Sequence, residues 1–153
     1  MTNQNKDKLY EEAKKEIKVR LKNIEFGNII PRMATVTAVL KSKFLNMLWC
    51  GFYFAEEDEM IVGPYQGPSA CPNIKYSGVC GLSAKKKETV IVPNVHEFPG
   101  HIVCDEKSNS EIVVPLLDEE KRIIAVLDID SANFSEFDKT DKKHLEEIMT
   151  FLL

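Results

Sequence analysis

The sequence has no apolar run that approaches the roughly 20 residues that a membrane-spanning helix needs. Its opening stretch, MTNQNKDKLYEEAKKE, lacks the apolar core of a signal peptide. A strong charge of either sign is also missing, because acids and bases are mixed along the chain and leave a formal net charge of −4. These absences argue against nucleic acid or a membrane as a partner, and they predict a cytoplasmic protein.

Repeats, linkers and low-complexity segments are absent as well. A chain of 153 residues without them has the ordinary size of one domain, and 44% hydrophobic residues suffice to bury a core. We expect a single domain over residues 1–153, in which an amphipathic helix within residues 1–28 packs on the rest.

Cysteine is present, but not in the C-x-x-C spacing of many metal sites. The four cysteines are Cys50, Cys71, Cys80 and Cys104. In a reducing compartment we expect them to be buried thiols, metal ligands or redox-active groups rather than permanent disulfides.

The period of the apolar residues changes along the chain. Helical spacing predicts helices over 7–24 and about 31–44, a short helix in GVCGLSAKKKE that begins near Gly78, and a closing helix over 138–152 that begins near Thr140 or Asp141. Alternation and turn signals predict strands in LWCGFYFA, MIVGPYQG, CPNIKY and TVIVPN, and a hairpin in EIVVPLLDEEKRIIAVLDID with DEEK as its turn.

This order of elements predicts an α+β fold. Consecutive strands joined by short turns indicate an antiparallel sheet, with the helices segregated to one face. The loop over 94–110 is long for a compact domain, and loops beyond about 12–15 residues are usually either functional or disordered.

The cysteines and histidines around this loop allow more than one kind of site. A zinc site would draw on Cys71, Cys80, His96, His101 and Cys104, but these lie on separate elements without H-x-x-x-H spacing, so we predict no metal. A catalytic pair would use Cys104 as nucleophile and His101 as base. Alternatively, His101 only hydrogen-bonds the loop, and the residues alone leave these two readings open.

Carboxylates lie close to the same loop. Asp128 and Asp130 are two apart in the strand LDIDS and so share one face, which is unusual because Asp is depleted in strands. That face is either solvated or part of a site. Pairing through the DEEK turn places Glu111 near Asp130. Clustered carboxylates raise at least one pKa and so retain a proton for general-acid work.

Aromatic residues in WCGFYFA point to both faces of a strand. Alternation puts Trp49 and Tyr53 on one face and Phe52 on the other, where we expect it in the core. Trp49 and Tyr53 either pack in a core or wall a small pocket that binds a positive sulfur or ammonium group over their rings.

The motifs WCGFYF, GPYQG, GVCG, VPNVHEFPGHIVCD, SNSEIVVPL and AVLDIDS, in this order and spacing, closely resemble those of the free methionine-R-sulfoxide reductases, which are single GAF-domain enzymes. The resemblance runs from about residue 30 to the end. The segments GHIVCD, SEIVVP and LDIDS carry it, because a general GAF likeness would be only a hydrophobic pattern.

The resemblance implies a GAF-like fold, with a central antiparallel sheet of about six strands, helices on one face and a ligand pocket on the other. It implies reduction of free L-methionine-(R)-sulfoxide to methionine by cysteine sulfenic-acid and disulfide chemistry, as a defence against oxidative stress. No cofactor would be bound, and thioredoxin, or dithiothreitol in vitro, would supply electrons. A homodimer is allowed.

By the same resemblance Cys104 matches the catalytic cysteine, Cys71 the resolving cysteine and Cys80 an accessory recycling cysteine. The segment ACPNIKYSGVC is one residue shorter than is typical of the family. Cys50 stands where relatives carry a small residue, and we expect it to be a buried structural thiol. The remaining expected site residues bind substrate, and the acids among them also serve catalysis: Trp49, Tyr53, His101, Glu111, Asp128 and Asp130.

Two functions other than catalysis stay open at this point. One is a non-catalytic GAF module that binds a small ligand such as a cyclic nucleotide. The other is a redox sensor whose cysteines form disulfides without a substrate. Turnover of free methionine sulfoxide with dithiothreitol distinguishes the enzyme from both.

Overall fold

In the computed structural model, which describes residues 1–101 and 104–153, helices and strands follow one another in the predicted order. The described helices are α1 (Asn3–Leu21), α2 (Ile29–Lys43), α3 (Val79–Lys86) and α4 (Lys139–Met149). The described strands are β1 (Met47–Ala55), β2 (Met60–Gln66), β3 (Asn73–Ile74), β4 (Val90–Val92), β5 (Ser110–Leu117) and β6 (Ile123–Ser131). Residues 102 and 103 of the predicted loop over 94–110 lie outside the described part.

All six described strands pair antiparallel in one sheet, in the order β3-β2-β1-β6-β5-β4. The two predicted hairpins, β1–β2 and β5–β6, are confirmed. Asp118 builds the DEEK turn, because its Oδ1 accepts hydrogen bonds from the backbone N–H groups of Glu120 and Arg122. β1 and β6 pair at the centre of the sheet.

One face of the sheet carries the main apolar core beneath α1, α2 and α4. Alternate strand residues such as Phe52, Leu127 and Ile129 are fully buried there. Cys50 lies in the same core, so its expected burial is confirmed. The α+β fold and its antiparallel sheet of six strands agree with the prediction.

The short helix α3 lies on the opposite face, and this corrects the expectation that the helices occupy one face. Val79, Cys80 and Ala84 of α3 pack with Trp49 and Tyr53, which belong to the other side of β1. The strand order gives the reason. Since β3 and β4 are opposite edges of the sheet, the chain between them must cross it, and α1, α2 and α4 already fill the first face.

The N-termini of two helices differ from the predicted ones because of capping residues. α1 begins at Asn3, since the Thr2 side chain accepts a hydrogen bond from the Asn5 backbone, and it ends at Leu21 rather than near residue 24. α4 begins at Lys139 after the N-cap Asp138, which forms a capping box with Asp141.

Buried lysines join α1 to α4. Lys6 Nζ lies 2.6 Å from Asp141 Oδ2, and Lys14 Nζ lies 2.6 Å from Glu147 Oε2. Both lysine side chains are almost fully buried, so the N-terminal helix packs as an integral part of the helical layer. None of the described helices has the length and apolarity that crossing a membrane would require.

Candidate active site

The three predicted acids meet on the face of the sheet that carries α3. In the register of the sheet, Glu111 of β5 lies opposite Asp130 of β6, and Asp130 lies opposite Trp49 of β1. Asp128 shares their face because it is two residues from Asp130. The predicted approach of Glu111 to Asp130 is therefore confirmed. The alternative of a solvated face does not hold for Glu111 and Asp128, which are buried.

Burial is the largest influence on the pKa of each of these acids. It raises the pKa of Glu111 well above its ordinary value, and the charges of Asp128 and Asp130 raise it further. Burial also raises the pKa of Asp128 to about 6, although the neighbouring Glu111 and Cys80 side chains lower it. Asp130 keeps part of its surface accessible, yet protein atoms surround its carboxyl group and its pKa is likewise raised. Burial and mutual repulsion therefore make these carboxyl groups retain protons to a higher pH than exposed acids do.

Ser108 joins the acid cluster to the loop that follows Cys104. Its hydroxyl donates a hydrogen bond to Asp130 Oδ1 at 2.5 Å, and the residue is buried. This bond lowers the pKa of Asp130, against the larger effect of burial. Sequence reasoning assigned Ser108 no role, although it belongs to the SNSEIVVPL motif, where a serine three residues before an acid is the available signal.

A disulfide links Cys71 to Cys104, with a Cα–Cα distance of 5.7 Å. Cys71 follows β2 and Cys104 lies in the long loop, so the bond joins two segments that border the acids. Tyr53 strengthens this junction, because its hydroxyl donates a hydrogen bond to the Cys71 carbonyl oxygen at 3.0 Å. Cys104 is exposed, as a thiol that reacts with a solute must be.

Cys80 lies in the first turn of α3 and is not part of the disulfide. Its Sγ is 4.0 Å from Glu111 Oε1. Burial, followed by the negative charges of Asp128 and Glu111, raises the pKa of Cys80 well above its ordinary value. Cys80 therefore holds its proton in this state, which makes it a poor nucleophile compared with a thiolate.

His101 borders the acids rather than standing apart from them. Its Nδ1 lies 4.0 Å from Glu111 Oε2, and burial lowers its pKa. The Cys104 sulfur is bonded to Cys71, so no His101 pair with a free Cys104 thiol exists in this state.

An aromatic wall faces the acids. The Trp49 ring stacks against Tyr53 and Tyr65, with centroid distances of 5.7 Å and 5.3 Å. Gly51 makes this packing possible, because a Cβ there would lie 2.4 Å from Trp49 Cη2 and 2.3 Å from Tyr65 Cβ. Tyr65 was not predicted as part of the wall; its signal is the GPYQG strand that pairs with β1.

Among the described residues, the zinc ligands considered from sequence do not form a group with metal-ligand spacing. Cys71 and Cys104 are bonded to each other, and His96 Nε2 hydrogen-bonds Asn109 Oδ1 at 2.8 Å. Within residues 1–101 and 104–153, the group with ligand spacing is instead Cys80, Glu111 and Asp128.

These residues surround a single pocket. Its described lining combines the disulfide region, the acids, the aromatic wall and the start of α3: Leu48, Trp49, Tyr53, Ser69, Ala70, Ile74, Gly78, Val79, Cys80, His101, Cys104, Asp105, Ser108, Glu111, Asp128 and Asp130. Eight of the nine residues that the sequence singled out for the site are in this set, and the ninth, Cys71, is bonded to one of its members.

Comparison with known proteins places this arrangement in a family. The model of the GAF domain family matches residues 28–152. The chain is 47% identical over 128 residues to GAF domain-containing protein A of Dictyostelium discoideum, an alignment that covers 82% of this chain and 80% of that protein. It is 39% identical over 126 residues to the free methionine-R-sulfoxide reductase of Escherichia coli (strain K12), covering 82% of this chain and 76% of that protein.

Solved structures extend the similarity to three dimensions. The X-ray structure of the free methionine-R-sulfoxide reductase from Neisseria meningitidis, in complex with its substrate, superposes with a TM-score of 0.90 and 40% sequence identity. The superposition covers 96% of this chain and 87% of that chain. Sequence identity and fold agree over nearly the whole length, and the chain belongs to the GAF-domain family of free methionine-R-sulfoxide reductases.

Proposed function

We propose that this protein reduces free L-methionine-(R)-sulfoxide to methionine, with Cys104 as the nucleophile and Cys71 as the thiol that resolves it. The observation that carries the proposal is the Cys71–Cys104 disulfide beside a pocket lined by three acids. A disulfide at this position is the expected product of one turnover. The similarity to reductases of this name supports the choice of substrate.

The proposed reaction has two steps, the oxidation of Cys104 by the substrate and the formation of the disulfide. The Cys104 thiolate attacks the sulfoxide sulfur and the sulfoxide oxygen takes up one proton. The sulfoxide S–O bond then breaks, the hydroxyl group passes to the Cys104 sulfur, and methionine leaves with Cys104 oxidised to a sulfenic acid. The Cys71 thiol then attacks the Cys104 sulfur, which releases water and forms the disulfide. One sulfoxide is thereby reduced to a thioether while two thiols are oxidised to one disulfide.

A carboxylic acid has to protonate the departing oxygen, and Glu111 is the acid we assign to that step. Its pKa is raised by burial and by both aspartates, so it retains a proton under conditions that ionise an exposed glutamate. Asp128 and Asp130 then provide negative charge for the ammonium group of the free amino acid. Ser108 holds Asp130 in place for this contact.

The rest of the pocket suits the other parts of the substrate. Trp49 and Tyr53 offer stacked rings to the methyl group on the polarised sulfur. The substrate carboxylate needs donors, and the backbone at Gly78 and Val79, at the N-terminus of α3, borders the pocket. His101 lies against Glu111 and completes the substrate-binding set.

The disulfide must be reduced before the next cycle. We propose thioredoxin as the electron donor and Cys80 as an accessory thiol for recycling, since it lies in the same pocket as Cys104. No bound cofactor is needed for this chemistry. We further propose that residues 1–153 act as one domain, that the protein is cytoplasmic, and that it is able to form a homodimer.

A turnover assay on separated diastereomers tests the proposal. The free R diastereomer with dithiothreitol should yield methionine, whereas the free S diastereomer and a peptide-bound R sulfoxide should not. A ligand-binding GAF module would release no methionine from any of them. A redox sensor would form the Cys71–Cys104 disulfide with peroxide but would also release none. Equal rates on free and peptide-bound sulfoxide would contradict the assigned substrate.

A further inference from the structure

Cys80, Glu111 and Asp128 form a cluster of metal-ligating side chains that the proposed reaction does not use as a unit. Their ligand atoms, one sulfur and two carboxylate oxygens, all lie within 4.8 Å of one another, and all three residues are buried. The three side chains line the pocket that also reaches the exposed Cys104. A small ion that enters the pocket therefore has access to the cluster.

Asp128 provides a second and independent observation. Only 7% of this residue is exposed, yet its Oδ1 has no hydrogen-bond partner among residues 1–101 and 104–153. Buried oxygens are normally satisfied, because an unpaired one costs free energy. Its neighbour Asp130 differs, since it accepts the hydrogen bond from Ser108. The unsatisfied oxygen thus belongs to the acid of the three-residue cluster and not to the acid outside it.

We propose that Cys80, Glu111 and Asp128 bind a thiophilic divalent cation, Zn²⁺ in particular, within the substrate pocket. A thiolate with two carboxylates is a donor set that suits Zn²⁺, whereas Mg²⁺ and Ca²⁺ take oxygen ligands. Three protein ligands leave the fourth tetrahedral position to water.

The geometry is close to what the ion needs. Zinc bonds of about 2.3 Å to sulfur and about 2.1 Å to oxygen place tetrahedral ligand atoms about 3.5 Å apart. The side chains must therefore draw together by about 1 Å from the present separations, which rotamer adjustment in a small cluster allows. On binding, the Cys80 thiol and the Glu111 carboxyl group lose their protons to solvent, and bonds from sulfur and oxygen to the metal replace the S–H and O–H bonds.

The charge of the pocket and the roles of the ligand residues predict how a bound cation affects the reaction. Among the described lining residues of the pocket none is Lys or Arg, so a dication meets no repulsion from a lysine or arginine side chain there. Glu111 and Asp128 are also the groups assigned to oxygen protonation and ammonium binding. The ion and the substrate therefore compete, and Zn²⁺ acts as an inhibitor. This consequence rests on the proposed function, whereas the metal site itself does not.

Co²⁺ titration of the disulfide form tests the site without any turnover. In that form Cys50 and Cys80 are the free thiols, and Cys50 lies in the core on the other face of the sheet. We expect a thiolate-to-Co²⁺ charge-transfer band that saturates at one ion per chain and disappears when Zn²⁺ is added. Cys80→Ser should abolish the band, and the matched control Cys50→Ser should retain it. Absence of the band in the wild type, or its survival in Cys80→Ser, overturns the proposal.

Asp128→Asn tests the carboxylate contribution with the thiol left in place. Asn has nearly the same volume but no charge, so the Co²⁺ dissociation constant should rise by about tenfold or more. An unchanged dissociation constant in this variant also overturns the proposal, even if Cys80→Ser fails to fold.

Single-turnover kinetics test the competition. Reduced wild-type protein, freed of reductant, is mixed with free methionine-(R)-sulfoxide with and without Zn²⁺. Zn²⁺ should slow methionine release, and additional substrate should restore the rate. Inhibition that substrate does not relieve places the ion elsewhere, for example on the reduced Cys71 and Cys104, and contradicts the proposal. If no methionine forms even without Zn²⁺, the proposed function fails, while the Co²⁺ titration still decides the metal site.

Discussion

The two faces of the central sheet use the same strands for different purposes. In β6, Leu127 and Ile129 are fully buried in the apolar core beneath the helices, whereas Asp128 and Asp130 face the pocket. Apolar core residues and acidic pocket residues therefore alternate along this part of β6. The alternation of a β-strand thus allows a segment of four residues to contribute to stability and to chemistry at once.

The cysteines show the same contrast between the faces. Cys50 and Cys80 are both buried, and burial is the largest cause of the raised pKa of each. Cys50 lies among apolar side chains, while Cys80 lies 4.0 Å from Glu111. Cys104 is exposed and joined to Cys71. Access to solute and to acids, rather than the presence of a thiol, therefore separates a reactive cysteine from a structural one.

The largest expected effect comes from removing the Cys104 sulfur. Cys104→Ser should lower single-turnover methionine release by at least about a thousandfold, because a hydroxyl is a far weaker nucleophile than a thiolate. Cys50→Ala, on the helical face, should leave the rate within about threefold of wild type. Quenched-flow release of methionine measures both. A Cys104→Ser variant that keeps a tenth of the wild-type rate would remove Cys104 from its role.

A comparably large effect is expected when the substrate loses its ammonium charge. N-acetyl-methionine-(R)-sulfoxide should react about a thousandfold more slowly than the free amino acid. The acetyl group leaves a buried carboxylate without its charged partner, which costs several kcal/mol. The kcat/KM ratio of the two compounds is the measurement. Similar values would show that Asp128 and Asp130 do not bind the ammonium group and that the pocket is open on that side.

A smaller effect follows from removing the resolving thiol. Cys71→Ser should release one methionine at a near-normal rate, but recycling by thioredoxin should slow by about tenfold or more, because the sulfenic acid at Cys104 lacks its nearest thiol. Cys80 would partly substitute. Mass spectrometry of the substrate-oxidised wild type should find Cys71–Cys104 as the main linkage. A dominant linkage to Cys50 would be incompatible with its place in the helical core.

Features of the fold and the site that depend on local interactions could be predicted from the sequence. The twofold period of strands separated Trp49 from Cys50, and a short turn determined that Glu111 meets Asp130. The family motifs then supplied the chemical roles of Cys71 and Cys104, which spacing alone left open. Their pairing in the structure agrees with those roles, and the roles themselves stay predictions.

What the sequence did not give depends on contacts between distant segments. Ser108 meets Asp130 across 22 positions, and Tyr65 stacks on Trp49 through strand pairing. The face on which α3 lies follows from the strand order, which places β3 and β4 at opposite edges. No local pattern within VCGLSAKK carries that information.

On the helical face, stability rather than activity should respond to mutation. Leu127→Ala should lower the free energy of unfolding by roughly 2–5 kcal/mol, because Leu127 is fully buried and a cavity would replace its side chain. Urea unfolding followed by circular dichroism measures the change. A loss below about 1 kcal/mol would mean that the core beneath the helices refills the space, and that the two faces differ less in packing than the structure indicates.

On the pocket face, removing a charge should instead stabilise the fold, in a pH-dependent way. The pKa of Asp128 is raised from 3.8 to about 6, so between pH of about 4 and about 6 the folded state binds more protons than the unfolded state. The free energy of unfolding then falls as pH rises through this window. Asp128→Asn lacks this loss, and near pH 7 it should be more stable than wild type by about 1–3 kcal/mol, at about 1.4 kcal/mol per pKa unit. Near pH 4 the difference should vanish.

Asp118 on the same hairpin provides the control of opposite sign. A backbone hydrogen bond from Arg122 is the largest cause that holds its pKa below the ordinary value, so its carboxylate stabilises the fold above the unfolded pKa and loses that effect as pH falls. Asp118→Asn should therefore be less stable than wild type at pH 7 and closer to it in acid. Urea titrations of both variants at pH 4 and pH 7 give the comparison. If Asp128→Asn behaves like Asp118→Asn, a donor satisfies the Asp128 carboxylate in solution, and the pocket does not hold an acid at the expense of stability.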